Sequence, residues 1–141
     1  MGAHDVYGKL VMRQAAGSAF QEYGDVVKVT YGARGGATID GLVGDSVAVE
    51  IESRVSKQVR GAVLDLICLP YPKKLPVLLP VHMSNPMLCL AQCENILARF
   101  IKPEQFRVVV LSGSGAVEAV EADVRIIQAA LSELESTAGA V

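Results

Sequence analysis

Three carboxylates in a short stretch carry the first chemical reading. Asp40 lies inside the apolar run Ala37–Leu42, and Glu50 and Glu52 stand two residues apart in Ser46–Ser53, SVAVEIES. Residues two apart in a strand share a face. Glu50 and Glu52 therefore project together with Ala48, while Val47, Val49 and Ile51 take the other face. Gly44-Asp45 between the two runs signals a tight hairpin, which sets Asp40 almost opposite Glu50. Three carboxylates then converge on one patch. Like charges that close repel, and a sheet gains nothing from them structurally. A divalent cation removes the conflict, and oxygen-only ligands suit Mg2+ or Mn2+. An ion so held, with open water positions, activates water and stabilises charge on a phosphate, which is the chemistry of phosphodiester hydrolysis. The plain alternative is a charged, solvated sheet face.

The elements that position these residues are read from periodicity. Gly8–Tyr23 carries Leu10, Val11, Ala15, Ala19 and Phe20 in a helical stripe ended by Gly24. Asp25–Gly32 alternates as a strand, Ala33–Gly36 is a turn carrying Arg34, and Ala37–Leu42 and Ser46–Ser53 are the next two strands. A helix from Ser56 to Leu69 is stopped by Pro70 and Pro72. Leu75–His82 is an apolar run of strand length, and its Pro76 and Pro80 must face an edge because proline lacks a ladder donor. Asn85–Ile101 is a helix with Asn85 as cap and Pro86 at its first position. Gln105–Leu111 is a buried strand, and Ala116 to about Ser136 is a long helix with a stripe at Val117, Val120, Val124, Ile127, Leu131 and Leu134. The order α-β-β-β-α-β-α-β-α predicts an antiparallel meander followed by parallel strands. The fold class expected is α/β, a central mixed sheet flanked by helices.

Composition narrows the function. The 141 residues are 51% hydrophobic and 20% charged, enough for one domain, spanning 1–141, with its own core and too apolar for disorder. Basic and acidic residues nearly cancel at a net charge of -2, so any nucleic-acid contact must use a local patch rather than bulk charge. Aromatic residues are 5% with no Trp, which argues against an extended base-stacking platform. Cys68, Cys89 and Cys93 are an odd set in apolar surroundings, expected to be reduced, buried thiols in a cytoplasmic protein. Met1–Tyr7 has no apolar run of a secretory signal, and no apolar stretch is long enough to span a membrane.

The element order and the carboxylates together resemble the restriction-endonuclease-like, or PD-(D/E)xK, nuclease superfamily, whose core order is α-β-β-β-α-β. The resemblance covers about residues 8–82, with the later strand and helix as a C-terminal β-α extension. Asp40 matches the family's first Asp, with Ile39 in place of the proline, and Glu50 matches the acid of the second motif. Glu52 stands where the family usually has lysine, a substitution some restriction enzymes share. The resemblance implies a nuclease in which Asp40, Glu50 and the Ile51 carbonyl hold Mg2+ or Mn2+. It places Glu22 at a position where an acid often touches the metal. Glu52 is then expected to orient or deprotonate the attacking water, or to share a second ion. Lys57, at the start of the helix after the Glu50 strand, is the substitute for the missing lysine. Arg34, Arg54, Lys57, Gln58 and Arg60 are the expected nucleic-acid contacts, with Arg13, Lys28, Lys73 and Lys74 as further basic groups near the site in sequence. DNA is the expected partner, and cutting both strands calls for a homodimer joined through the apolar late strands and last helix.

Two further readings stand beside this one. A nuclease-fold module without catalysis, binding a protein or nucleic acid, fits the missing lysine and the acidic balance. A nucleotide-binding protein would use Ser112–Gly115, which follows a strand and opens a helix. That turn lacks a third glycine at the right offset and a Walker lysine. Asp65, in an apolar helix, is read as a partner of Arg60 or Lys73, and His82 as a polar residue flanking a helix.

Overall fold

The computed structural model describes residues 3–22, 38–54, 56–113 and 116–138. The first helix, α1, spans Ala3–Ala16, not Gly8–Tyr23. Gly17 ends it by adopting a φ of 59°, a left-handed conformation that costs glycine little. After a single 3-10 turn the chain enters a strand, β1, at Phe20–Glu22. Phe20 thus serves the core from a strand rather than from a helix. The expected strand Asp25–Gly32 and the turn with Arg34 lie outside the described residues.

Strands β2 (Gly41–Val43) and β3 (Val47–Glu52) form the expected hairpin, with Gly44 at a φ of 61° in the turn. Gly41 sits opposite Val49 and Val43 opposite Val47, so the register carries Asp40 to Glu50. Helix α2 runs over Ser56–Cys68 and leads to β4 at Lys73–Leu78. Asn85 caps α3 (Pro86–Ala98) by accepting a hydrogen bond from the Leu88 N–H at 3.0 Å. A two-residue strand, β5 (Val109–Val110), and α4 (Glu121–Ala138) follow.

The five strands lie in sheet order β1-β2-β3-β4-β5, antiparallel through β3 and parallel from β3 to β5. The result is an α/β architecture with a mixed sheet flanked by helices. Tyr7, Val11 and Met12 of α1 and Ile127, Ala130 and Leu134 of α4 cover one face, against Val47, Val49, Ile51, Leu75 and Val77. Helices α2 and α3 cover the other face through Val59, Val63, Cys89, Cys93 and Leu97, with Leu66 and Leu69 beside Leu42 and Ala48. Residues Ala48, Glu50 and Glu52 therefore face the α2 side.

Four expectations are corrected in the second half of the chain. Leu75–His82 is not one strand: pairing stops at Leu78, and Pro80–His82 is a 3-10 turn. Pro76 lies in β4, which is not an edge strand. The Lys74 and Leu78 carbonyls accept from Arg107 and Leu111, so even-numbered residues of β4 point their polar backbone toward β5. The donor missing at Pro76 falls in the gap between the Lys74–Phe106 bridge and the Val77–Val109 pair, and β5 is only two residues long. Helix α4 begins at Glu121, leaving Val117 outside it and almost fully exposed. The rest of its stripe packs on the sheet and α1, which removes that face as a homodimer interface.

Asp123 explains the start of α4. It is fully enclosed and accepts from the Tyr7 hydroxyl at 2.7 Å, from the Ser112 and Gly113 N–H groups at 2.8 Å each, and from the Ser112 hydroxyl at 2.9 Å. The Tyr7 oxygen in turn accepts from the Val120 N–H. Gly113 is required there, because a Cβ would lie 2.5 Å from the Tyr7 hydroxyl and 2.3 Å from Val120. The Ser112 end of the supposed phosphate turn is thus a buried structural joint.

Candidate functional site

Asp40 precedes β2, and its backbone N–H donates to Glu50 Oε1 at 2.9 Å. In return Asp40 Oδ2 accepts from the Ile51 N–H at 2.6 Å. The hairpin register forces this reciprocal pairing, and each carboxylate keeps one oxygen for another partner. Burial pushes the Glu50 carboxyl up to about 9, with the neighbouring Asp40 charge adding to the rise. Burial also raises Asp40, partly offset by the Ile51 N–H and the positive charge of Lys9. The closeness of the two side chains favours the proton on Glu50 rather than on Asp40.

Glu52 lines the same cleft but is committed elsewhere. Arg54 grips both of its oxygens, Nε to Oε2 at 2.9 Å and Nη2 to Oε1 at 2.7 Å. The Ser53 and Arg54 N–H groups donate to Oε2 as well. Burial works against its charge, but these hydrogen bonds and the guanidinium outweigh it and hold the carboxyl below its usual range. The expected trio is therefore a pair plus an ion pair. Among the described residues no three His, Cys, Asp or Glu side chains are grouped to hold a metal ion.

Around the pair lies a polar cleft of about 410 Å3, lined by Thr38, Asp40, Glu50, Ile51, Glu52, Ser53 and Arg54 together with Asp5 of α1 and Asp65 of α2. A hollow of about 270 Å3 beside it adds Gln58, Gly61 and Ala62. Buried Gln58 Oε1 finds no hydrogen-bond partner among the described residues. Asp5 escaped the sequence reading, and Asp65 was read as a partner of Arg60 or Lys73 rather than as a cleft residue. No ion pair joins Asp65 to Arg60 or Lys73 among the described residues, and in the fold its charge helps to raise Glu50. Asp5 and Lys9 come close because Gly8 lets α1 rest on β3. A Cβ there would lie 2.5 Å from Ile51 Cγ2.

The remaining candidates are dispersed. Glu22 belongs to β1, pairs with Arg13 at 2.8 Å, and does not line the cleft. Lys57 lies in the first turn of α2. Arg60 faces a different groove. Lys73 and Lys74 are buried, not offered to a phosphate backbone, and Lys74 Nζ donates to the Leu69 carbonyl at 2.9 Å. Burial pushes the Lys74 ammonium down to about 8. Lys28 and Arg34 lie outside the described residues. Cys89 and Cys93 are buried as expected, but Cys68 is exposed at the end of α2. The His82 ring meets His4 edge to face, with centroids 5.9 Å apart.

The donor chemistry fits a hard cation. Two partly buried carboxylates, each with an oxygen to spare, stand beside the Ile51 backbone in a polar cleft, and burial raises both. Fold and site together define an α/β domain with an acidic cleft between the hairpin edge, α1 and α2. No family model, curated protein or solved structure matches the chain. No helix of the described residues is long and apolar enough to cross a membrane.

Proposed function

We propose that this chain is a nuclease of restriction-endonuclease-like fold that hydrolyses phosphodiester bonds in DNA with the help of Mg2+ or Mn2+. The observation that carries the reading is the reciprocal Asp40–Glu50 pairing across the β2–β3 hairpin, in a polar cleft that raises both acids. Asp40, Glu50 and the Ile51 carbonyl would hold the ion, which when bound supplies charge stabilisation at the phosphate and an acidified water. The Arg54 guanidinium stays largely exposed while its fork grips Glu52. It therefore presents positive charge at the cleft for a phosphate oxygen. The reading takes Lys57, whose backbone lies in the first turn of α2, as a second cation, and Gln58 Oε1 has no donor among the described residues in the adjoining hollow.

A second reading is favoured by the Glu52–Arg54 ion pair. With both Glu52 oxygens taken, the carboxylate in the family's lysine position is not free to accept a proton from water. On that reading the domain binds a cation and nucleic acid without cleaving.

Titration of Mn2+ into isotopically labelled protein separates these readings. Paramagnetic broadening of amide signals around Asp40, Glu50 and Ile51, abolished in Asp40→Asn, is expected. Cleavage of a mixed DNA pool by the same Mn2+-loaded protein supports the nuclease. Broadening without cleavage supports the binding module. Unselective broadening, or broadening unchanged by Asp40→Asn, refutes the metal site and both readings with it.

A further inference from the structure

The described arginines divide into two groups. Arg13, Arg54, Arg107 and Arg125 are each paired with a carboxylate. Arg60 and Arg99 are exposed, have no ion pair among the described residues, and line the same groove. The groove holds about 430 Å3, within the usual range of ligand sites. Helix α2 contributes Arg60, and α3 with its C-terminal turn contributes Gln92, Asn95, Ile96, Arg99 and Phe100. None of these lining side chains is a carboxylate, although the chain as a whole is acidic. Phe100 leaves 63% of its surface to solvent.

These groups answer the parts of a nucleotide. A guanidinium without a counter-ion offers its fork to a phosphate. An exposed ring offers a face to an unpaired base, and a neighbouring arginine adds cation–π attraction. The two amides can both donate to and accept from base edges. A paired base keeps its faces within the duplex stack, so the ring selects single strands. Arg60 also lies within one turn of Gln58 and Gly61, which line the hollow beside the acidic cleft. Groove and cleft thus flank the same helix.

We propose that the groove between α2 and α3 binds a single-stranded segment of nucleic acid, with a base stacked on Phe100 and phosphates on Arg60 and Arg99. The choice of nucleic acid as occupant rests on the proposed function. The positive charge of the groove does not.

Fluorescence anisotropy with a labelled oligothymidylate, in EDTA at low salt, tests this without chemistry in the cleft. Phe100→Ala is expected to weaken binding about tenfold. Arg60→Ala and Arg99→Ala should each weaken it and each take about 0.7 from the slope of log affinity against log salt. Arg99→Lys, which keeps the charge but loses the fork, should retain the slope and lose part of the affinity. All three side chains are exposed, and thermal unfolding checks that the variants fold. Wild-type-like binding by these variants overturns the proposal, as does the absence of saturable binding. Polyglutamate competing as well as the oligonucleotide also overturns it, making the groove a site for acidic peptide. Oligonucleotide binding without selective Mn2+ broadening would refute the cleft and leave the groove. Mn2+ broadening without oligonucleotide binding would refute the groove and leave the cleft.

Discussion

Glu50 is a partly buried carboxylate whose titration lies far from its value in water. Its carboxyl is pushed up to about 9 by burial and by Asp40, against an ordinary value of 4.5. Between those two values the folded chain holds a proton that the unfolded chain has released. Stability therefore falls as pH rises through that window and is fullest below it. Glu50→Gln keeps the Oε1 acceptor for the Asp40 N–H and has no proton to lose. The variant should melt above wild type at pH 8 and level with it near pH 4, by about 4 °C for each kcal/mol gained. Thermal unfolding across pH reads this directly, and a parallel pH profile in both proteins would show that Glu50 is not raised. The carboxylates themselves were legible in the sequence, since an acid inside an apolar strand and an E-x-E spacing are both visible there. The capture of Glu52 by Arg54 was not. Nothing in two residues of separation says whether the chain after β3 turns the guanidinium back onto the carboxylate or out to solvent.

At the scale of elements, two close approaches hold the site's frame. Gly41 follows Asp40, and a Cβ there would sit 2.5 Å from the Phe20 ring and 2.7 Å from the Gln21 carbonyl. Gly41→Ala must push β1 from β2 and should cost about 1–3 kcal/mol. Chemical denaturation measures the loss, and amide shifts at Ile51 report whether Asp40 has moved. The second approach is the Asp123 joint, which ties α1, the loop after β5 and α4 together. Burial opposes the Asp123 charge, but the Tyr7 hydroxyl and the Ser112 and Gly113 N–H groups outweigh it and hold the carboxyl below its usual range. Its stabilisation is present above the ordinary Asp value of 3.8 and is lost as pH falls through the lowered one. Asp123→Ala leaves those donors unsatisfied and should cost on the order of 3 kcal/mol at pH 7. The cost should shrink toward pH 2, as acid titrations of both proteins would show. Hairpin, capped α3 and α2 were readable from local signals. The ends of α1 and α4 were not, because the apolar stripe continues past Ala16 and begins before Glu121. Gly17 and Asp123 decide where helix gives way.

For the whole molecule, the proposed cation site in the acidic cleft would make metal binding a stability effect. Asp40 and Glu50 must lose their protons to serve as ligands, so Mn2+ competes with H+. Added Mn2+ should raise the melting temperature, by about 2.7 kcal/mol of stabilisation at a concentration 100-fold above Kd. The gain should be larger at pH 8 than at pH 5 and absent in Asp40→Asn. Equal gains in the variant would mean the ion binds elsewhere. The near-neutral charge suits the proposed local, rather than global, attraction for polyanions, since the two arginines without an ion pair among the described residues line one groove.

By itself the sequence determined the class of architecture and the order of its elements. It also determined that Asp40 and Glu50 must meet, because a period of two and a glycine turn leave a hairpin little choice of register. The parallel addition of β4 and β5 followed from the helices between them. Only the tertiary structure decided which charges remain available. It brought Asp5 and Asp65 to the cleft and withdrew Glu52 into an ion pair and Lys74 into the core. It also set Arg60 and Arg99, 39 residues apart in the chain, on one groove. Ion pairing and burial depend on distances between segments remote in sequence, and no local periodicity encodes those distances.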